Sequence, residues 1–223
     1  MLVIAIFAFV PAILPVSQGK QPSILERYGL ILGESKAKKS FLAYFVFQTG
    51  NFAAFTFLGT WLADSFSMSI DQIGGVLVFL GVGNIIGSFF GSTVVKKWGR
   101  HGTLLLGLGL MTVLYLFISH APSPVYVKIG YFAIFLLGGI IFPVMMALLQ
   151  TLSATARGTI AALGSSVLHG ATTLGAYLAG MLYTFFGGFL SISLFTALCF
   201  ALSLLLWLTS GVTKPAAAKG NAA

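Results

Sequence analysis

The sequence predicts an all-α, polytopic membrane protein, and three observations lead there. Only 7% of its 223 residues are charged and 58% are hydrophobic, whereas about a quarter of a soluble domain is charged. Mean hydropathy is +1.02, with 21 Phe and 27 Gly, a composition typical of helical membrane proteins. Apolar runs recur along the chain at roughly the 20-residue length that crosses about 30 Å of hydrocarbon.

The elements follow in order. Residues 1–16, MLVIAIFAFVPAILPV, are short for a span and contain Pro11 and Pro15. They lack the basic start and the cleavage site before Ser17 that a signal peptide has, so they read as a partial transmembrane helix whose beginning is missing. Residues 17–40 mix Glu, Lys and Arg and read as a cytoplasmic linker. Its centre, ILERYGLIL, is either a short amphipathic helix on the membrane surface or a solvated connector. Six spans follow at about 41–62, 73–95, 103–118 with its flanks, 125–149, 160–183 and 189–208, so the bundle occupies 41–210. Residues 211–223 form a tail.

Charge sets the expected orientation, because Lys and Arg stay on the cytoplasmic side of short loops. Alternate loops separate Lys20, Arg27, Lys36, Lys38, Lys39, Lys96, Lys97, Arg100, Arg157, Lys214 and Lys219 from Lys128 alone, which shares its side with Asp64 and Asp71. The basic loops and the C-terminus are therefore expected to be cytoplasmic, in a cell membrane. The span starts 41, 73 and 103 are echoed by 125, 160 and 189. Two triples, each of odd number, insert in opposite senses, which gives two inverted three-helix repeats.

The net charge of +8 does not indicate nucleic acid, since the cations sit in loops without a basic face or interleaved aromatics. Cys199 is the only cysteine, which excludes an intramolecular disulfide and a thiolate metal cluster. Gly164, Ser165 and Ser166 superficially match the G-x-S motif of intramembrane serine proteases, but no histidine follows on a later helix. With no paired carboxylates or metal-ligand cluster either, the chain is expected to be neither an enzyme nor a cofactor binder.

No Asp, Glu, Lys or Arg lies deep in a span, so function must rest on weaker polar groups. Tyr44, Gln48, Asn51 and Phe55 share a helical face. Its amides either bond a neighbouring helix or line a cavity. Phe142, Met146 and Gln150 align beside Pro143, whose missing donor can kink a helix. Their readings are an adaptable apolar site or plain core filling. His169 shares a face with Thr172 or Thr173 near mid-span; it reads as a packing histidine or as a group that couples protons. Gly83, Gly87 and Gly91 have the small-x-x-x-small spacing of closely packed helices and flank Asn84. A phosphate-binding loop is excluded there, because GVGNIIG is not G-x-G-x-x-G and no strand precedes it.

The stretch STVVKKWGRH resembles the loop signature G-x-x-x-D-[RK]-x-G-[RK]-[RK] of the major facilitator superfamily. Lys97, Gly99 and Arg100 match it, His101 matches loosely, Lys96 replaces the acid and the first glycine is displaced to Gly91. TARGTIAALGSSVLHGATTLGAYLAG looks like that family's penultimate helix, with Arg157 and Gly158 at its entry. With the topology and the long linker, the chain resembles the C-terminal half of such a transporter, of drug or sugar efflux type. The resemblance implies a small molecule carried by alternating access, often against protons, between this bundle and a missing N-terminal six-helix half. That half would come from the same gene, a separate chain or a second copy. The resemblance also implies a cavity lined by Gln48, Asn51, Phe142 and Met146, with Tyr44, Phe55 and Gln150 on the same stripes. Asn84 and His169, with Gly83, Gly87, Gly91 and Thr172, would face the other half as gates. The rival expectation is a small multi-pass scaffold or assembly subunit that transports nothing.

Overall fold

The structure, a computed structural model, describes residues 24–153 and 156–212. The expected partial helix at 1–16 and the tail from 213 onward lie outside the described residues. Every element is helical: α1 (Ile24–Gly33), α2 (Ser35–Phe66), α3 (Ile70–Ile118), α4 (Pro124–Gln150), α5 (Arg157–Phe186) and α6 (Phe189–Ser210). The centre of the expected linker is thus the helix α1. The first span starts at Ser35, six residues before its apolar run, because Ser35, Lys36, Lys38 and Lys39 continue the same helix outward.

α3 explains how five long helices make six spans. Its 49 residues would extend about 70 Å at 1.5 Å per residue, over twice the hydrocarbon thickness. The helix breaks at Gly99, where φ is 69° and ψ 170°, a region essentially restricted to glycine. Thr103 donates from Oγ1 to the Gly99 carbonyl at 2.7 Å and secures the restart. The arms 70–98 and 100–118 carry the apolar runs expected to be the second and third spans. The first arm begins with a capping box, in which Ser69 and Gln72 satisfy each other's backbone N–H groups. By length and apolarity α2, α3, α4 and α6 qualify as membrane-crossing helices. α5 has 30 residues but is diluted by Ser165, Ser166, His169, Thr172 and Thr173.

α4 lies chiefly against α3, and α2 lies between α5 and α6. Gly83, Gly87 and Gly91 meet Phe132, Leu136 and Ile140 in turn, so the first arm of α3 and α4 run parallel. Gly170, Gly175 and Gly180 meet Phe45, Thr49 and Phe57, so α5 and α2 are parallel too. The correspondence expected from the span starts becomes exact at residue level in these two seams. Gly83, Gly87 and Gly91 are matched at one constant offset by Ala171, Gly175 and Ala179, and all six are buried. A small-residue face in the second helix of each triple packs on the first helix of the other triple, as two inverted repeats require.

α6 is held by hydroxyls. Ser193, Thr196 and Ser203, all fully buried, donate to the carbonyls of Tyr115, Gly50 and Ala43. The falling partner numbers on α2 show that α6 runs antiparallel to it. Trp61 stacks on Phe189 with ring centroids 4.3 Å apart, closing the core at the opposite end from the α6 C-terminus. At that same end Tyr183 of α5 donates to Asp64 Oδ2 of α2.

Candidate functional site

Between α2, α3 and α4 lies a cavity of about 360 Å³. The first helix of each triple supplies most of its wall: Phe47, Gln48, Asn51, Phe52 and Phe55 from α2, and Ile134, Phe135, Gly138, Gly139, Phe142 and Pro143 from α4. Asn84, Ser88 and Tyr115 of α3, with Leu168 of α5, complete it. Phe55 and Phe142 are about 40% exposed, so the cavity opens on one side.

Four of the expected cavity residues, Gln48, Asn51, Phe55 and Phe142, therefore come together. Three do not. Tyr44 lies buried behind the wall, where its hydroxyl accepts from Gln48 Nε2 at 3.2 Å and its ring lies 6.4 Å from Phe142. Met146 turns toward α5, its Cε 3.4 Å from where a Cβ on Gly164 would stand. Gln150 lies at the basic end of the bundle, in a separate cleft with Arg100, Ala147, Thr151 and Arg157. Two turns of α4 separate it from Phe142, so the shared stripe runs past the cavity and out of it.

The residues expected at a gate also divide. Asn84 is part of the cavity, its Nδ2 donating to the Phe135 carbonyl at 3.3 Å. Gly83, Gly87 and Gly91 are buried against α4, so their place is a seam inside this bundle and the expectation of an outer seam is corrected. A Cβ on Gly87 would collide with the Leu136 carbonyl, and one on Gly139 with the Asn84 carbonyl. His169 is exposed on α5, and Thr172 spends its hydroxyl on the Leu168 carbonyl at 2.8 Å. Of the loop motif, Gly99 makes the break in α3, and Lys97 and Arg100 flank it, exposed.

Sequence reasoning missed Phe47, Phe52, Phe135, Tyr115 and Ser88. Ser88 had a signal, since it stands one turn beyond Asn84 on the same face. The aromatic residues had none, because 21 Phe spread through the spans look alike until packing separates wall from core. The lining is chemically one-sided. Six aromatic rings surround the side chains of Gln48, Asn51, Asn84 and Ser88, and no charged side chain lines the cavity among the described residues. Asn51 makes no side-chain hydrogen bond among the described residues, leaving a donor and an acceptor for a ligand.

An aromatic-walled cavity near mid-bundle, between inverted helix triples, defines a class: a multi-pass α-helical membrane protein with a solute-sized site. The chain belongs to the Major Facilitator Superfamily, whose model matches residues 40–223. It is similar to three Bacillus subtilis (strain 168) proteins, each described as an uncharacterized MFS-type transporter. YceJ is 41% identical over 212 residues, covering 95% of this chain and 54% of its own. YbcL is 24% identical over 75% of this chain and 43% of its own. YwfA is 27% identical over 62% and 34%. The chain thus spans about half the length, or less, of the curated relatives it matches.

Proposed function

We propose that the chain is the C-terminal bundle of a small-molecule transporter working by alternating access, with a second six-helix bundle facing its cavity. The observation that carries this reading is the one-sided cavity, whose open flank holds Phe55 and Phe142 and whose walls carry the unpaired Asn51. Apolar side chains on the outer face of α3, Val78, Ile85 and Phe89, are about 70–80% exposed, which suits contact with lipid. The basic ends, from Lys36 to Lys39 and from Lys96 to Arg100, would then lie in the cytoplasm of a plasma-membrane protein.

The lining favours uncharged or weakly polar aromatic solutes, which stack on phenyl faces and bond to amides. Efflux and proton exchange are the finer parts of the proposal and rest on the resemblance. A proton carrier would belong to the facing bundle, since no ionisable carboxylate or imidazole lines this cavity among the described residues.

Transport of a panel of neutral aromatic dyes by energised, inside-out membrane vesicles tests the reading, with this chain expressed together with a facing bundle. The expected result is movement of at least one dye, lost in Asn51→Leu at unchanged membrane level. A folded, paired protein that neither binds nor moves any solute would favour the scaffold alternative.

A further inference from the structure

Pro143 has no N–H, so the carbonyl four residues earlier, that of Gly139, loses the donor an α-helix normally gives it, and the proline ring crowds the same carbonyl. A carbonyl left without a donor in a membrane interior is costly. Gly139 is buried against α3, so a neighbouring helix is placed to supply the missing bond. Ser88 of α3 does: its Oγ donates to the Gly139 carbonyl at 3.3 Å. Two features make this cross-helix bond possible. Gly139 lacks a Cβ, and one built there would stand 2.8 Å from the Ser88 backbone nitrogen. Asn84, one turn earlier, holds the same strip of α4 through the Phe135 carbonyl.

We propose that Ser88 is a positioning residue for the cavity, replacing from α3 the hydrogen bond that Pro143 removes from α4 and thereby setting the direction of α4 at Phe142. Ser88, Gly139, Phe142 and Pro143 all line the cavity, so the proline position and the wall are one object. The inference concerns the shape of α4 and holds whatever solute the cavity takes. Its prediction is a specific dependence: the hydroxyl of Ser88 matters only while residue 143 is proline.

Double electron–electron resonance on the full chain in nanodiscs tests it, with spin labels at Ile129→Cys and Ala147→Cys in a Cys199→Ser background. These labels straddle Pro143 at about 27 Å along the helix, within range of the method. Ser88→Ala should widen the distance distribution at least twofold, and Ser88→Thr, which keeps the hydroxyl, should restore the original width. In a Pro143→Ala chain, where residue 143 again donates to Gly139, adding Ser88→Ala should change nothing. An unchanged distribution in Ser88→Ala alone, or equal broadening in both backgrounds, overturns the proposal. If Ser88→Ala does not fold, folding of the Ser88→Ala, Pro143→Ala double variant supports it, and failure of the double variant overturns it.

Discussion

Gly87 and Leu136 approach so closely that a Cβ on the glycine would fall on the leucine carbonyl oxygen. Backbone, not a movable side chain, occupies the space. Gly87→Ala should therefore force α3 and α4 apart, at about 1–3 kcal/mol or more of overpacking. Gly175→Ala, facing the Thr49 carbonyl in the matching seam, should behave alike. Gly109→Ala, with nothing within 4 Å, should hold or raise the melting temperature through helix propensity. Thermal unfolding in detergent measures all three, and an equal loss at Gly109 would refute the seam argument.

Gly99 should be replaceable only at a cost, because its φ of 69° with ψ of 170° excludes side chains on steric grounds. Gly99→Ala is expected to lose about 1–3 kcal/mol. Gly102→Ala, whose Cβ would meet Trp98 at an ordinary 3.5 Å, should lose far less. Unfolding midpoints of the pair decide whether the break is a conformational requirement or a mere loop.

Gln48 and Asn51 look equivalent on a helical wheel but should respond differently. Gln48 is 3% exposed and bonded to Tyr44, so Gln48→Leu strands a buried phenol and should cost about 1–3 kcal/mol. Asn51 is half-buried without such a partner, so Asn51→Leu should leave stability nearly unchanged and alter solute binding. Melting temperature measured beside dye binding separates the two effects. Similar destabilisation by both would make Asn51 a packing residue.

The hydroxyls of α6 should each hold a measurable share of its attachment. Ser203→Ala removes the donor to the Ala43 carbonyl at 2.7 Å, and Thr196→Val the donor to Gly50 at 3.0 Å. Hydrogen bonds between membrane helices average about 0.6 kcal/mol and reach about 1.7 kcal/mol. Losses in that range, adding when the variants are combined, are expected in denaturant unfolding.

Much of the fold was legible beforehand, for identifiable reasons. The approximate limits of the long helices follow from apolar runs matched to the hydrocarbon thickness, and Gly83, Gly87 and Gly91 announce a close seam by spacing alone. That spacing did not say which helix fills the seam. It is α4, a nonlocal neighbour running parallel, and the equivalence with Ala171, Gly175 and Ala179 became visible only once both seams could be compared.

The candidate site was half legible. Periodicity placed Gln48, Asn51 and Phe55 on one face, and it carried Gln150 along with Phe142. Periodicity describes a direction around a helix, not a depth along it, so the stripe from Phe142 continued into the basic cleft beside Arg100 and Arg157. Asn84 and Ser88 joined the cavity because their helix lies against α4.

By itself, then, the sequence determined the membrane class and the approximate positions of the helices, since these depend on local hydropathy. Tertiary structure decided which amide is committed to a buried phenol and which is open to a ligand. It also decided that a serine on one helix serves a carbonyl orphaned by a proline on another. The second outcome depends on a contact between residues 51 positions apart in the chain, which no local pattern encodes, and the first on the burial that neighbouring helices impose on Tyr44 and Gln48 but not on Asn51.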